Sequence, residues 1–295
     1  MDGTGTLKKP IDRTSISKPN LDVVLKMPFD LSGTITGTVS AAGGAWTSAL
    51  SGYKEATVST YDGTYTLALP GNVGNALNEP GGDGVASVVV SGGEVSISGN
   101  SADNQKLKQK LQLSSAGKLP FYSTAAKDSA NKLSRSALMG WLTWDGTKFT
   151  GDLDFDRQNG ATVAPYTGGF TALTTVAMSP YYAVAPANAQ AAFGGATAAA
   201  IVFDGPTLVV VSNSAVVSSA GILVDKAYNK TNNKVNVKLK TASGLFTPVQ
   251  FEAPLGTKWK GGGVALTNEG TFGLGHGYVV PADASHSERF TLTPQ

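Results

Sequence analysis

Cysteine is absent from the 295-residue chain, which excludes disulfides, thiolate nucleophiles and thiolate metal sites together. Histidine is nearly absent as well. The usual base for hydrolysis near neutral pH is available only at His276 and His286. Charge is sparse, with Asp, Glu, Lys and Arg at 15% against roughly 25% in an average globular protein. A formal charge of +2, with no Lys/Arg cluster beyond a local run, gives no electrostatic case for nucleic acid as a partner. No apolar run reaches the ~18 residues that a membrane-spanning helix needs. The start, Met1-Asp2-Gly3-Thr4-Gly5, lacks the basic and then apolar pattern of a signal peptide.

What the chain has instead is glycine, 36 residues of it, set in a recurring phrase of turn residues, glycine and an aromatic. It reads Gly44-Ala45-Trp46-Thr47, Asp62-Gly63-Thr64-Tyr65-Thr66, Asp145-Gly146-Thr147-Lys148-Phe149, Ser243-Gly244-Leu245-Phe246 and Asn268-Glu269-Gly270-Thr271-Phe272. Each copy lies between β-rich runs. Each is expected to be a tight hairpin, with glycine at φ > 0 and the aromatic opening the return strand. Two hairpins are expected early, residues 34–39 with 46–50 and residues 56–61 with 65–69. A Gly-, Asn- and Pro-rich stretch at 72–84 then reads as a surface excursion.

Period-2 alternation is clearest in two later runs. In residues 105–114 Leu107, Leu111 and Leu113 share one side, with Lys106, Lys108 and Lys110 on the other. In residues 149–156 Phe149, Leu153 and Phe155 face inward, with Asp152, Asp154 and Asp156 outward. Both are half-buried antiparallel strands. Residues 168–195 lose the period and read as the interdomain connection plus an entering strand, with a helical turn at 187–192; further strands follow to residue 293. The expected fold is all-β, two antiparallel sandwich or barrel domains built from serial hairpins and related by weak internal duplication. The divisions are an extended arm or linker at 1–20, a first β domain at 21–168 and a second at 169–295.

Several stretches resemble a known family. They are DLSGTITGTVSAAGGAWTSALSGY, GTYTLALPG, SGGEVSISGNSADNQKLKQ, LPFY, ALMGWLTW and, near the end, NKVNVKLKTASGLFTPVQFEAP with KGGGVALTNEGTFGLGHGYVV. They resemble a poorly characterised family of β-rich modules at the carboxyl ends of large bacterial secreted or cell-surface proteins. The resemblance rests on turn and core residues and carries over no catalytic residue. It implies an extracellular or cell-surface location, with the leader absent from this chain.

The candidate chemistry is thin. The carboxylates Asp152, Asp154 and Asp156 lie about 7 Å apart on one strand face and make a weak Ca²⁺ candidate. They lack the glycine and distal Glu of a Ca²⁺ loop, and a solvated edge-protecting face is the favoured reading. Pairing of the Lys106/Lys108/Lys110 row with them is a further expectation. Trp46, Trp144, Tyr181, Tyr182 and Trp259, with Trp141 and Tyr53, are candidates for a sugar-stacking platform, against a simple core role. Leu7, Ile11 and Ile16 in the arm are candidates for strand addition to a neighbour. An enzyme would need a cleft joining His276 to a carboxylate such as Glu269 or Glu288. The expected function is therefore a non-enzymatic structural or adhesive module without a cofactor, its partners a second copy or an extracellular surface or glycan. The alternatives are a carbohydrate-binding module and a virion or tail component.

Overall fold

The computed structural model describes residues 4–13, 18–29, 34–57, 59–127, 133–181, 186–208, 211–224, 234–252, 256–268 and 271–295. Ile16, Tyr182 and Glu269 lie outside the described residues. Strands take up 62% of the described residues and helix 4%, so the all-β class read from alternation and glycine turns holds, as sandwich and barrel together.

The first sheet has four strands in chain order, β1 (Thr4–Ile11), β2 (Leu21–Pro28), β3 (Ile35–Ala41) and β4 (Thr47–Gly52). Residues 4–11, expected in an extended arm, are thus a strand. β1 pairs with β2 along its length, Leu7 opposite Leu25 and Ile11 opposite Leu21. Its apolar residues sit four apart, on one side of a pleated strand, which favours this pairing over a free arm. The β3–β4 hairpin forms at the first glycine phrase, where Gly44 has φ +77°, a conformation only glycine adopts without penalty.

A two-sheet sandwich follows. β5 (Gly63–Leu69), β6 (Gly84–Ser91), β7 (Glu94–Asn100) and β8 (Lys106–Gln112) run as a meander, faced by β9 (Lys118–Lys127), β10 (Leu133–Trp144), β11 (Phe149–Thr150), β12 (Asp152–Arg157) and β13 (Phe170–Thr175). β14 (Ala177–Pro180) then returns to pair with β5, Met178 opposite Leu67. Between the sheets Leu67, Val88, Ile97, Phe121, Leu138, Phe149 and Leu153 are buried in one cluster. The alternation expected for residues 105–114 and 149–156 is borne out. The hairpin expected from 56–61 and 65–69 is not formed. Ala56 N donates to Leu113 O at 2.6 Å and Glu55 bridges to Ser114, so this segment extends the β8 side. Residues 59–61 curl into a 3-10 turn, and β5 takes β6 and β14 as neighbours.

The last eight strands make a nearly closed barrel. They are β15 (Ala198–Asp204), β16 (Val211–Ser218), β17 (Gly221–Val224), β18 (Lys234–Lys240), β19 (Leu245–Glu252), β20 (Lys258–Asn268), β21 (Thr271–Pro281) and β22 (Glu288–Pro294). Phe203, Phe246, Phe251, Phe290 and Leu292 fill it, together with Ala189, Ala192 and Phe193 from α1 (Ala189–Ala192) and the residue after it. The helical turn expected at 187–192 is α1, capped by Asn188 Oδ1 accepting from Ala191 N at 2.9 Å.

The outer face of the barrel lies on the back of the β5–β6 sheet, where Ala68, Val85, Val264, Tyr278 and Val280 form a third buried cluster. The stretch 72–84, expected as a surface excursion, is partly interior. Gly81, Gly82 and Asp83 are buried against β21 and β22. A Cβ on Gly82 would stand 2.4 Å from Tyr278 Cβ and 2.5 Å from Glu288 O, so glycine is required there by proximity. Tyr166 Oη donates to Ala76 O (3.0 Å) and accepts from Ser287 N (2.8 Å), tying this loop to the barrel.

Candidate functional site

The outward face of the β9–β13 sheet gathers most of the exposed chemistry. Alternation turns Leu119, Phe121, Leu138, Leu142, Leu153 and Phe155 into the sandwich core, which sends Pro120, Tyr122, Met139, Trp141, Asp152, Asp154 and Leu173 outward. Register aligns Tyr122, Met139, Asp154 and Leu173 as one row across four strands. Trp141 lies opposite Pro120, in the next outward position along β10. Tyr122 is 58%, Trp141 45% and Leu173 68% exposed. Tyr53, just past β4, meets Trp141 edge-on with ring centroids 5.4 Å apart and planes at 74°. Beside these rings Asp152 Oδ1 accepts from Thr175 Oγ1 at 2.6 Å. Oδ1 of Asp156 is buried with no hydrogen-bond partner among the described residues.

The structure separates the other aromatic candidates. Trp46 is exposed at the β3–β4 turn. Trp144 closes the sandwich edge against Phe149, Tyr61 and Tyr65. Tyr181 and Trp259 are buried in the barrel cluster and so are closed to a ligand stacking from solvent. Leu7 and Ile11 lie exposed on β1. The aspartates share the outward face of β12, and no group of three metal-ligating side chains occurs among the described residues. The lysine row lies on β8, in the opposite sheet, so its expected pairing with the aspartates is replaced by Lys110 Nζ to Glu94 Oε1 at 2.8 Å. Tyr122 was missed by sequence reading, although Leu119, Phe121 and Ser123 alternate with Pro120, Tyr122 and Thr124 as plainly as the strands recognised.

Both histidines meet carboxylates, each in a setting that explains the contact structurally. His276 Nδ1 lies 2.8 Å from Asp83 Oδ2. Asp83 Oδ1 accepts from Gly71 N at 3.1 Å, and Arg289 Nε stands 3.3 Å away without hydrogen-bond alignment. Arg289 Nη2 donates to Gly71 O at 2.8 Å. The group staples the 71–83 loop to β21 and β22. His286 Nε2 lies 2.8 Å from Glu288 Oε1, and Glu288 also accepts from Thr207 N (3.0 Å) and Leu208 N (3.1 Å). Ser285 Oγ is 2.7 Å from His286 Nδ1, a spacing that suggests a serine nucleophile with its base. Ser285 Oγ also donates to Asp283 Oδ1 at 2.9 Å, and His286 Nε2 lies 3.1 Å from Thr207 Oγ1, so serine, histidine, threonine and the two carboxylates form one connected polar cluster with His286 and Glu288 buried in it. This group closes the mouth of the barrel around the edge of Trp259.

Buried tyrosines mark the same junction. Burial pushes the Tyr278 and Tyr166 hydroxyls above their ordinary value, aided by the charge of Asp103. Compared with protein-family models, curated proteins and solved structures, the chain matches none of them.

Proposed function

We propose that this chain is a non-enzymatic β module of a secreted or cell-surface protein, acting by surface contact and associating with a second copy of itself. The observation that carries the reading is the apolar face of the first sheet, whose large side chains are half-buried or exposed. By register, β1 presents Leu7 and Ile11 there, β2 Leu21, Val23, Leu25 and Met27, β3 Ile35 and Val39, and β4 Leu50. None of these side chains belongs to a buried cluster. An amphipathic sheet is stable when a second layer covers its apolar side.

A second copy fits that side best. Lys9 is its one charged residue among the described positions, so two copies meet with little like-charge repulsion. Four strands of about seven residues span roughly 450 Å² in plan. Two facing copies therefore cover roughly 900 Å² before neighbouring side chains are added, near the ~1,000 Å² of a specific interface. Edge pairing is the weaker route, because Lys8, Lys9 and Pro10 on β1 discourage an added strand. The low charge of the chain and its hairpin architecture support a holding role over a catalytic one.

Light scattering on the purified chain tests the reading. The expected result is a dimer or larger closed species that Leu25→Asp reduces to monomer, while Thr38→Asp on the opposite side of the sheet leaves the mass unchanged. A wild-type chain that stays monomeric at high concentration, or a Leu25→Asp chain that keeps its mass, overturns it.

A further inference from the structure

We propose that the outward face of the β9–β13 sheet binds a neutral polysaccharide, with Trp141 and Tyr122 as the stacking rings and Asp152 and Asp154 as acceptors for sugar hydroxyls. A pyranose is amphiphilic in a particular way. Its flat sides carry C–H bonds and its rim carries hydroxyl donors, so it needs aromatic rings and hydrogen-bond acceptors interleaved on one surface. That interleaving is what the register produces. Tyr122 and Trp141 are diagonal neighbours on paired strands, a spacing of roughly 7–8 Å between such positions. Asp154 stands in line with Tyr122, one strand beyond Met139. The apolar flank is completed by Pro120 and Leu173.

Three further features favour a sugar over another occupant. Among the described residues the carboxylates on this face have no cationic partner. Asp152 is held by a threonine hydroxyl, and no described residue donates a hydrogen bond to Asp154. They are therefore free to accept from hydroxyls, and they repel uronic or sulfated chains. The face lies on strands rather than loops, and Tyr53 packs its ring against Trp141, fixing the larger ring before any ligand arrives; Tyr53 is a positioning residue. Finally, both rings remain about half exposed in a sheet whose other face is fully engaged in the sandwich core, so binding needs no rearrangement of the fold.

The test is affinity electrophoresis of the intact chain through gels containing one soluble polymer at a time: hydroxyethyl cellulose, laminarin, galactomannan and xylan as neutral probes, alginate as the anionic one. At least one neutral polymer is expected to retard the wild type, and alginate to leave it unretarded. Trp141→Ala and Tyr122→Ala are each expected to weaken the neutral interaction on the order of tenfold or more. Asp154→Asn is expected to weaken it less, and Trp46→Ala to leave it unchanged. Circular dichroism on each variant checks the fold; both ring positions are exposed, so native spectra are expected, and Trp141→Tyr should restore part of the binding. Failure of every neutral polymer to retard the wild type overturns the proposal. So does retardation that survives both ring substitutions, or equal retardation by alginate. Leu25→Asp, which removes self-association, separates this result from the mass measurement: a monomeric variant that still binds polymer keeps the sugar face independent of the dimer.

Discussion

Arg157 Nη1 meets Asp103 Oδ2 at 2.7 Å with both side chains fully enclosed, between the β7–β8 turn and the end of β12. Ser136 Oγ donates to the same carboxylate oxygen at 2.5 Å, and Ser101 Oγ donates to the other. Arg157 Nη2 donates to Val163 O. The pair joins the two sheets of the sandwich at one end, and the adjoining Asn104 Oδ1 accepts from Tyr278 Oη at 3.2 Å, which brings the barrel to the same turn.

Removal of one member leaves a charge enclosed without its counterion. Asp103→Ala is expected to destabilise by about 3–5 kcal/mol, and Asp103→Ala with Arg157→Met by distinctly less, because the second change removes the stranded charge. Urea unfolding of the two single variants and the double variant closes the cycle. Additive losses would mean that the two groups act separately.

The glycine at the junction gives a steric prediction. Gly82→Ala inserts a methyl where Tyr278 Cβ and Glu288 O leave no room, and a cost of about 1–3 kcal/mol is expected. Gly168→Ala, with nothing within 4 Å of the new methyl, is the matched control and should be near neutral. Thermal unfolding of both variants reads the difference.

Alkaline pH should act through the junction as well. Tyr278, Tyr166 and Tyr65 each have a hydroxyl raised above the ordinary 10.0, with burial the largest cause. A group whose folded value is raised contributes stability that is complete below the unfolded value and is lost as pH rises toward the folded one. Unfolding free energy is therefore expected to be level up to about pH 10 and to fall above it. Tyrosinate absorbance should show these three hydroxyls ionising above the ordinary value. Simultaneous titration of all tyrosines at the ordinary value would contradict the packing.

At the acid end the sign is reversed. Backbone N–H groups of Thr147 and Lys148 donate to Asp145 Oδ1 at 2.9 Å each and hold its carboxyl below the ordinary 3.8. Its contribution is complete above that value and is lost as pH falls through the lower folded one. Asp145→Asn is expected to remove this contribution near neutrality, a slight loss because the site is exposed, and so to flatten the acid limb of the stability profile.

Sequence reading recovered the elements that local rules determine. The inward leucines of residues 105–114 and the outward aspartates of 149–156 follow from a period of two, and the turns at Gly44 and Gly244 from positive φ. What escaped it depends on partners far along the chain. The Asp62-Gly63 phrase has the same local chemistry as the other turns, yet Gly63 sits inside β5, opposite Val90, because the sandwich supplies β5 with two ready neighbours. Gly81 and Gly82 look like loop residues until β21 arrives against them. On the candidate face, Trp141 and the aspartates were recognised separately, while the register that sets Tyr122 in line with Asp154 is a property of three paired strands and of no single segment.

The return of β14 to β5 has a consequence for how the chain is made. Thr66 Oγ1 meets Ser179 Oγ, 113 residues onward, and donates to Ala265 O, 199 residues onward. At a synthesis rate of about 5–20 residues per second, the first of these partners emerges roughly 6–23 s after β5. Through that interval the nascent sheet carries an open edge and an uncovered back, the surfaces that invite premature pairing with another chain. The strands that complete β5 thus arrive only after most of the sandwich has been synthesised.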